Sequence, residues 1–218
     1  MKTDTQIQQD VLNELKWDTR LGPTEIGVSV ANHIVTLSGT VASWAKRLAA
    51  EEAAHRVVGV LDVANDLAVK LPNGPNPSDT EIAAAVRHAL TWDVFVPQDK
   101  IQTTVANGVV RLSGSVEDAA QRQDAARAIQ NLAGVRAIDN QIAIKRADVS
   151  KPALKAAIHD ALERRAERDA NTIQLEVDAG HVTLSGTVHS WTERNAVIGA
   201  AWGTRGVAQV IDKLQVSP

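Results

Sequence analysis

The chain has 218 residues, no cysteine and a formal charge of −3 from 23 Lys and Arg against 26 Asp and Glu. Disulfides, thiol chemistry and thiolate zinc sites are thereby excluded, and there is no basic field of the kind nucleic-acid binding needs. No stretch approaches the roughly 20 apolar residues of a membrane span.

The N-terminus, MKTDTQIQQDVLNELKW, is polar and helix-like, without the apolar core or cleavage site of a secretory leader. The expected compartment is therefore the cytoplasm, or the periplasm if a leader was removed. Self-comparison then organises the whole chain. With the glycine of each LSG as origin (Gly39, Gly114 and Gly186), Gly59, Gly134 and Gly206 stand 20 residues on, each before a valine. Arg47, Arg122 and Arg194 stand eight residues on, and the three copies align without a gap over more than 60 residues. The expected modules are 4–72, 79–146 and 151–218, joined by the short Pro-bearing linkers LPNGPNPS and KRADVSKP.

Each copy opens with apolar residues every four positions, Ile7/Val11/Leu15, Ile82/Val86/Leu90 and Leu154/Ile158/Leu162, the mark of one helix face. Asp4 and Asp79 are the expected N-caps, and the third helix starts at Lys151-Pro152, where proline suits a first turn. Period-two alternation follows in Ile26/Val28/Val30, Ile101/Thr103/Val105 and Ile173/Leu175/Val177, which predicts strands. Asn107-Gly108 predicts a tight hairpin. Asn32-His33 and Ala179-Gly180 hold the same place, and His33 predicts a longer or strained turn there. The LSG is expected to finish a second strand. An Ala-rich helix comes next, with Ala50/Ala53/Ala54, Ala125/Ala128/Ile129 and Val197/Ala200/Ala201 inward and Gly59, Gly134 and Gly206 at its C-terminus. A last alternating strand completes αββαβ. The fold class is α+β: three tandem modules, each a small three-stranded sheet with two helices on one face. Such a module has a thin core, so the three are expected to pack together.

Several constellations bear on chemistry. Ser38, Ser113 and Ser185 lack the leading glycine of a nucleophile elbow, and their repetition points to a structural role. His33, His55, His88, His159, His181 and His189 show no metal-ligand spacing, so no metal site and no cofactor is expected. Arg47, Arg122 and Arg194 fit either a ladder of anion contacts or surface ion pairs and apolar stems over the sheet edge. Trp17 and Trp92 share a position at the end of the first helix, and Trp44 and Trp191 share one at the start of the second. Each is either core packing or an exposed edge suited to a membrane interface or a protein partner. The basic residues Lys155, Arg164, Arg165 and Arg168 interleave with Glu163, Glu167 and Asp169, which reads as a solvated helix.

The pattern of an amphipathic helix, LSG, an arginine eight residues on, and GV at the start of the last strand resembles the BON domain, the bacterial OsmY and nodulation domain. Asn65 and Asn140 match the family's asparagine near the module end, where copy three has Asp212, and Arg164 replaces the tryptophan found at 17 and 92. The resemblance implies a non-enzymatic, OsmY-like tandem protein of osmotic or envelope stress, transport-associated, that binds phospholipid surfaces or protein partners. It also implies an alternative, a sensor of potassium or a small ligand with its site between modules. The OsmY type carries a periplasmic signal that is not seen here.

Overall fold

The computed structural model describes residues 2–22, 26–71, 76–145, 150–165 and 173–217; the side chains of Glu163, Arg164 and Arg165, and the whole of Glu167, Arg168 and Asp169, lie outside this description. The first module runs α1 (Asp4–Trp17), β1 (Ile26–Ala31), β2 (Ile34–Val41), α2 (Trp44–His55), β3 (Asp62–Asn65) and β4 (Ala68–Val69). The second repeats it as α3 (Asp79–Trp92), β5 (Ile101–Ala106), β6 (Val109–Val116), α4 (Ala119–Ile129), β7 (Ala137–Asn140) and β8 (Ala143–Ile144). The third has α5 (Lys151–Arg165), β9 (Gln174–Asp178), β10 (His181–Val188), α6 (Trp191–Trp202) and β11 (Gln209–Val216).

Helix starts are set one residue earlier than the sequence suggests. Thr3 and Ser78 are the N-caps, each in a capping box with Gln6 or Glu81. Asp4 and Asp79, expected to cap, are first helical residues whose carboxylates do something else. Asp4 accepts the backbone N–H groups of Asn32 and His33, both at 2.9 Å. Asp79 accepts those of Asn107 and Gly108 at 2.8 and 2.9 Å. A carboxylate at the helix start thus ties the hairpin turn to the helix. Lys151 holds this place in copy three and instead lies 3.9 Å from Asp178.

All three hairpins use the same two-residue turn with positive φ at both centres: 51° and 64° at Asn32-His33, 53° and 77° at Asn107-Gly108, 47° and 82° at Ala179-Gly180. The His33 turn is strained, not lengthened. Its ring Nδ1 sits 3.0 Å from the Gly59 carbonyl oxygen.

In each sheet the middle strand pairs antiparallel with the first and parallel with the last. The last strand is continuous in copy three, whereas β3/β4 and β7/β8 are interrupted halves aligned on one register. Val35, Leu37 and Val41 of β2 face Ile7, Val11 and the alanines of α2 in one buried cluster, so both helices cover the same face. The other two modules have their own clusters of the same construction.

The LSG glycine lies inside the middle strand, which runs on to Val41, Val116 or Val188. It does not end the strand, because the turn comes only after that valine. At Gly114 φ is 120° and a Cβ would overlap the Lys100 carbonyl oxygen of the neighbouring segment. Gly134, expected at a helix C-terminus, lies beyond α4 in a turn at φ 87°. A Cβ there would be 2.8 Å from Ile82 Cδ1, so glycine lets the first helix close over the turn. Gly114→Ala is expected to destabilise the protein by at least about 3 kcal/mol, through backbone strain plus displacement of Lys100. Urea unfolding followed by circular dichroism measures this.

Candidate functional site

The repeated tryptophans divide into two classes. Trp44 and Trp191, at the starts of α2 and α6, are half-buried between modules. Trp44 packs against the core of the second module, and the start of α2 lies beside Gln130 and Asn131 at the end of α4. Trp191 stacks on His55 at the end of α2, ring centroids 3.9 Å apart and 17° between planes. Its Nε1 donates to the Leu61 carbonyl at 3.1 Å. The start of α4, at Ala119 and Arg122, meets Trp202 at the end of α6. The second helices therefore meet start to end in a closed cycle, first module to second, second to third, third to first.

Each seam of this cycle holds one indole, drawn from one of two repeat positions. Position 5 after the LSG glycine is Trp44, Ala119 or Trp191, and position 16 is His55, Gln130 or Trp202. The one seam lacking an indole at the first position has one at the second. Sequence reasoning missed Trp202, although its signal was present as the column partner of His55 and Gln130.

The three arginines all lie near indoles: Arg47 5.2 Å from Trp44, Arg194 4.2 Å from Trp191, and Arg122 5.7 Å from Trp202 across the seam. Their other contacts differ. Arg47 donates to the Asn65 and Leu67 carbonyls at 2.6 and 3.0 Å. Arg194 pairs with Asp212 at 2.5 Å. Arg122 makes no hydrogen bond or ion pair through its guanidinium among the described residues. Asn65 and Asn140 bond back to the carbonyls of Arg47 and Arg122, 3.2 and 2.9 Å away. The Asp212 carboxylate has no N–H to donate and accepts from the arginine side chain instead.

Trp17 and Trp92 form the second class. They stand 78% and 74% exposed at the ends of α1 and α3. Beside Trp92, Val94 is 89% and Phe95 71% exposed, so the second module presents an apolar corner. Trp92 Nε1 donates to His88 Nε2 at 2.8 Å. The matching corner of the first module is polar: Arg20, in the place of Phe95, pairs with Asp18 and Glu52, and Arg56 pairs with Asp18 and Glu14. The Arg20 guanidinium, opposed by burial and helped by Arg56, holds the Asp18 carboxyl well below the usual carboxylate range.

The serines of the LSG turn to backbone: Ser38 and Ser113 hydroxyls donate to the Gly27 and Gln102 carbonyls, both at 3.5 Å. Among the described residues, no three His, Asp or Glu side chains gather as a metal site, and no helix is long and apolar enough to cross a membrane.

Three αββαβ units joined through their second helices define a class of tandem α+β repeat protein. The chain belongs to the BON domain family, which matches residues 3–70, 78–146 and 150–218. It is 30% identical over 146 residues to osmotically-inducible protein Y of Escherichia coli (strain K12), covering 65% of this chain and 73% of that protein. It is 26% identical over 143 residues to adenylosuccinate synthetase of Phytophthora infestans (strain T30-4), covering 62% of this chain and only 25% of that protein. Among solved structures it is similar to CdsD, a structural protein of the type III secretion system of Chlamydia trachomatis. The match has 13% identity and a TM-score of 0.28, over 96% of this chain and 91% of that one. The family and the first of these relatives point to a non-enzymatic protein.

His55, at the seam between the first and third modules, is expected to make stability depend on pH. Burial pushes its imidazole below the ordinary value of 6.5, Arg194 adds to the effect, and Glu51 and Asp62 oppose it. Its Nε2 is buried without a partner among the described residues. Below about pH 6.5 the unfolded chain takes up a proton that the folded chain resists, so stability is expected to fall as pH drops from 7 towards 5. His55→Gln should flatten that slope, measured as melting temperature against pH, while leaving stability at pH 7.5 within about 1 kcal/mol.

Proposed function

We propose that the protein is a non-catalytic, stress-associated binding protein that adsorbs to phospholipid surfaces through the exposed ends of its first helices. The observation that carries this reading is the exposure of Trp17 and Trp92 at one repeat position, extended in the second module by Val94 and Phe95. Folding gains little from an indole left in water, whereas a bilayer interface accommodates its apolar ring and polar N–H together. Trp44, Trp191, Arg47 and Arg194 are left out of the surface, since their contacts lie within and between modules. A relative named for osmotic induction supports the association with stress. With a net charge of −3, attraction to anionic headgroups is a poor driving force, so adsorption rests on apolar insertion.

Co-sedimentation with phosphatidylcholine vesicles, with and without phosphatidylglycerol, tests this. The expected result is binding to both that is little changed by salt, accompanied by a blue shift of tryptophan emission. The double variant Trp17→Ser/Trp92→Ser should bind at least about tenfold more weakly, the scale of losing interfacial burial of two indoles. Absence of binding by the unaltered protein, or binding that survives the double substitution, overturns the reading. Binding confined to a protein partner does so as well.

A further inference from the structure

The seam between the second and third modules differs from the other two in a way that leaves a site. Ala119 stands where Trp44 and Trp191 stand elsewhere, and a cavity of about 220 Å³ opens there, lined by Ala119, Arg122, Gln123, Ala126, Asn140 and Trp202. Asn140 is already engaged with the Arg122 carbonyl and the Ile142 N–H. Arg122 is the one repeat arginine whose guanidinium has neither the carbonyl pair of Arg47 nor the carboxylate of Arg194. A half-buried guanidinium carries five N–H donors in a fork that matches a carboxylate, and an indole face beside it suits a flat apolar group. The cavity at the seam of the first and second modules offers no such group. Its Arg20 and Glu52 pair with each other, and Lys46 donates to the Leu21 carbonyl at 2.7 Å.

We propose that this seam binds a small organic monocarboxylate with a flat apolar body. The carboxylate takes the Arg122 guanidinium, and the ring lies along Trp202 in the space that Ala119 leaves. A single guanidinium offsets a single negative charge, which favours a monoanion over a phosphate. The volume, below the roughly 300–1,000 Å³ of drug-sized ligand sites, limits the occupant to about one ring. The site does not depend on membrane adsorption, and the two readings fail separately because they are read on different tryptophans.

The test is a titration of the full chain with sodium benzoate, with benzyl alcohol as the uncharged control, followed through the indole N–H signals of its five tryptophans in ¹H–¹⁵N correlation spectra. The Trp202 signal, assigned through Trp202→Phe, is expected to shift saturably with benzoate and not with benzyl alcohol, while those of Trp17 and Trp92 stay in place. Arg122→Gln should weaken binding by at least about tenfold. Ala119→Trp should abolish it while leaving the melting temperature unchanged or higher, because it restores the indole of the other seams. The absence of a saturable Trp202 shift, shifts confined to Trp17 and Trp92, or binding unchanged in either variant would overturn the proposal.

Discussion

An arginine near an indole recurs at each seam between modules, and the architecture depends on it. A module of this size buries little: its second helix faces the sheet with alanines such as Ala50, Ala53 and Ala54, and a core so thin is marginal alone. The large side chains lie at the helix ends instead, where they reach a neighbour. Trp44 extends the second module's core, and Trp191 covers the end of α2. Guanidinium–indole contacts strengthen as water is removed, from about 0.5 to about 2 kcal/mol, so each arginine gains from the closure that it helps to make. Because the contacts close into a cycle, each module is held by two neighbours.

The copies have diverged in coupled pairs. Where the first two modules have Asp4 and Asp79 clamping a hairpin turn, the third has Lys151 opposite Asp178. Where they have Asn65 and Asn140, it has Asp212, which takes up Arg194. Ala119 is matched by Trp202. In each case the fold keeps a tie between the same two elements while its chemistry changes. The last pair differs in its consequence: with the indole on the far side of the seam, the Arg122 guanidinium lies 5.7 Å from the Trp202 ring and makes no hydrogen bond or ion pair among the described residues.

Within a module nearly everything was legible in the sequence, because local periodicity and turn chemistry act over a few residues. The helix face of Ile7, Val11 and Leu15, the hairpin at Asn107-Gly108 and the inward alanines all follow from spacing. The misses were also local and had physical causes. Thr3 and Asp4 are both good capping residues, and only the position of the hairpin shows that the aspartate is needed elsewhere. Gly39 looked like the end of a strand because glycine usually interrupts one. Here a positive φ is accommodated inside it. What a single module's frame cannot show is contact between modules. Nothing within the first copy says that Trp44 packs against the second, or that Arg122 looks towards Trp202.

The exposed corners can be weighed by the same frame. Trp17 and Trp92 recur although no seam uses them, so their conservation between copies is not owed to assembly of the cycle. The first module surrounds its tryptophan with ion pairs: Asp18 accepts both Arg20 and Arg56, and the helix end is fixed and polar. In the second module Phe95 replaces Arg20 and Val94 replaces Thr19, so three apolar side chains share one corner. A charged corner resists transfer out of water far more than an apolar one. The two corners are therefore unequal: in the proposed surface contact the second module would supply most of the apolar area, and Trp17 a single indole beside charged, hydrated groups.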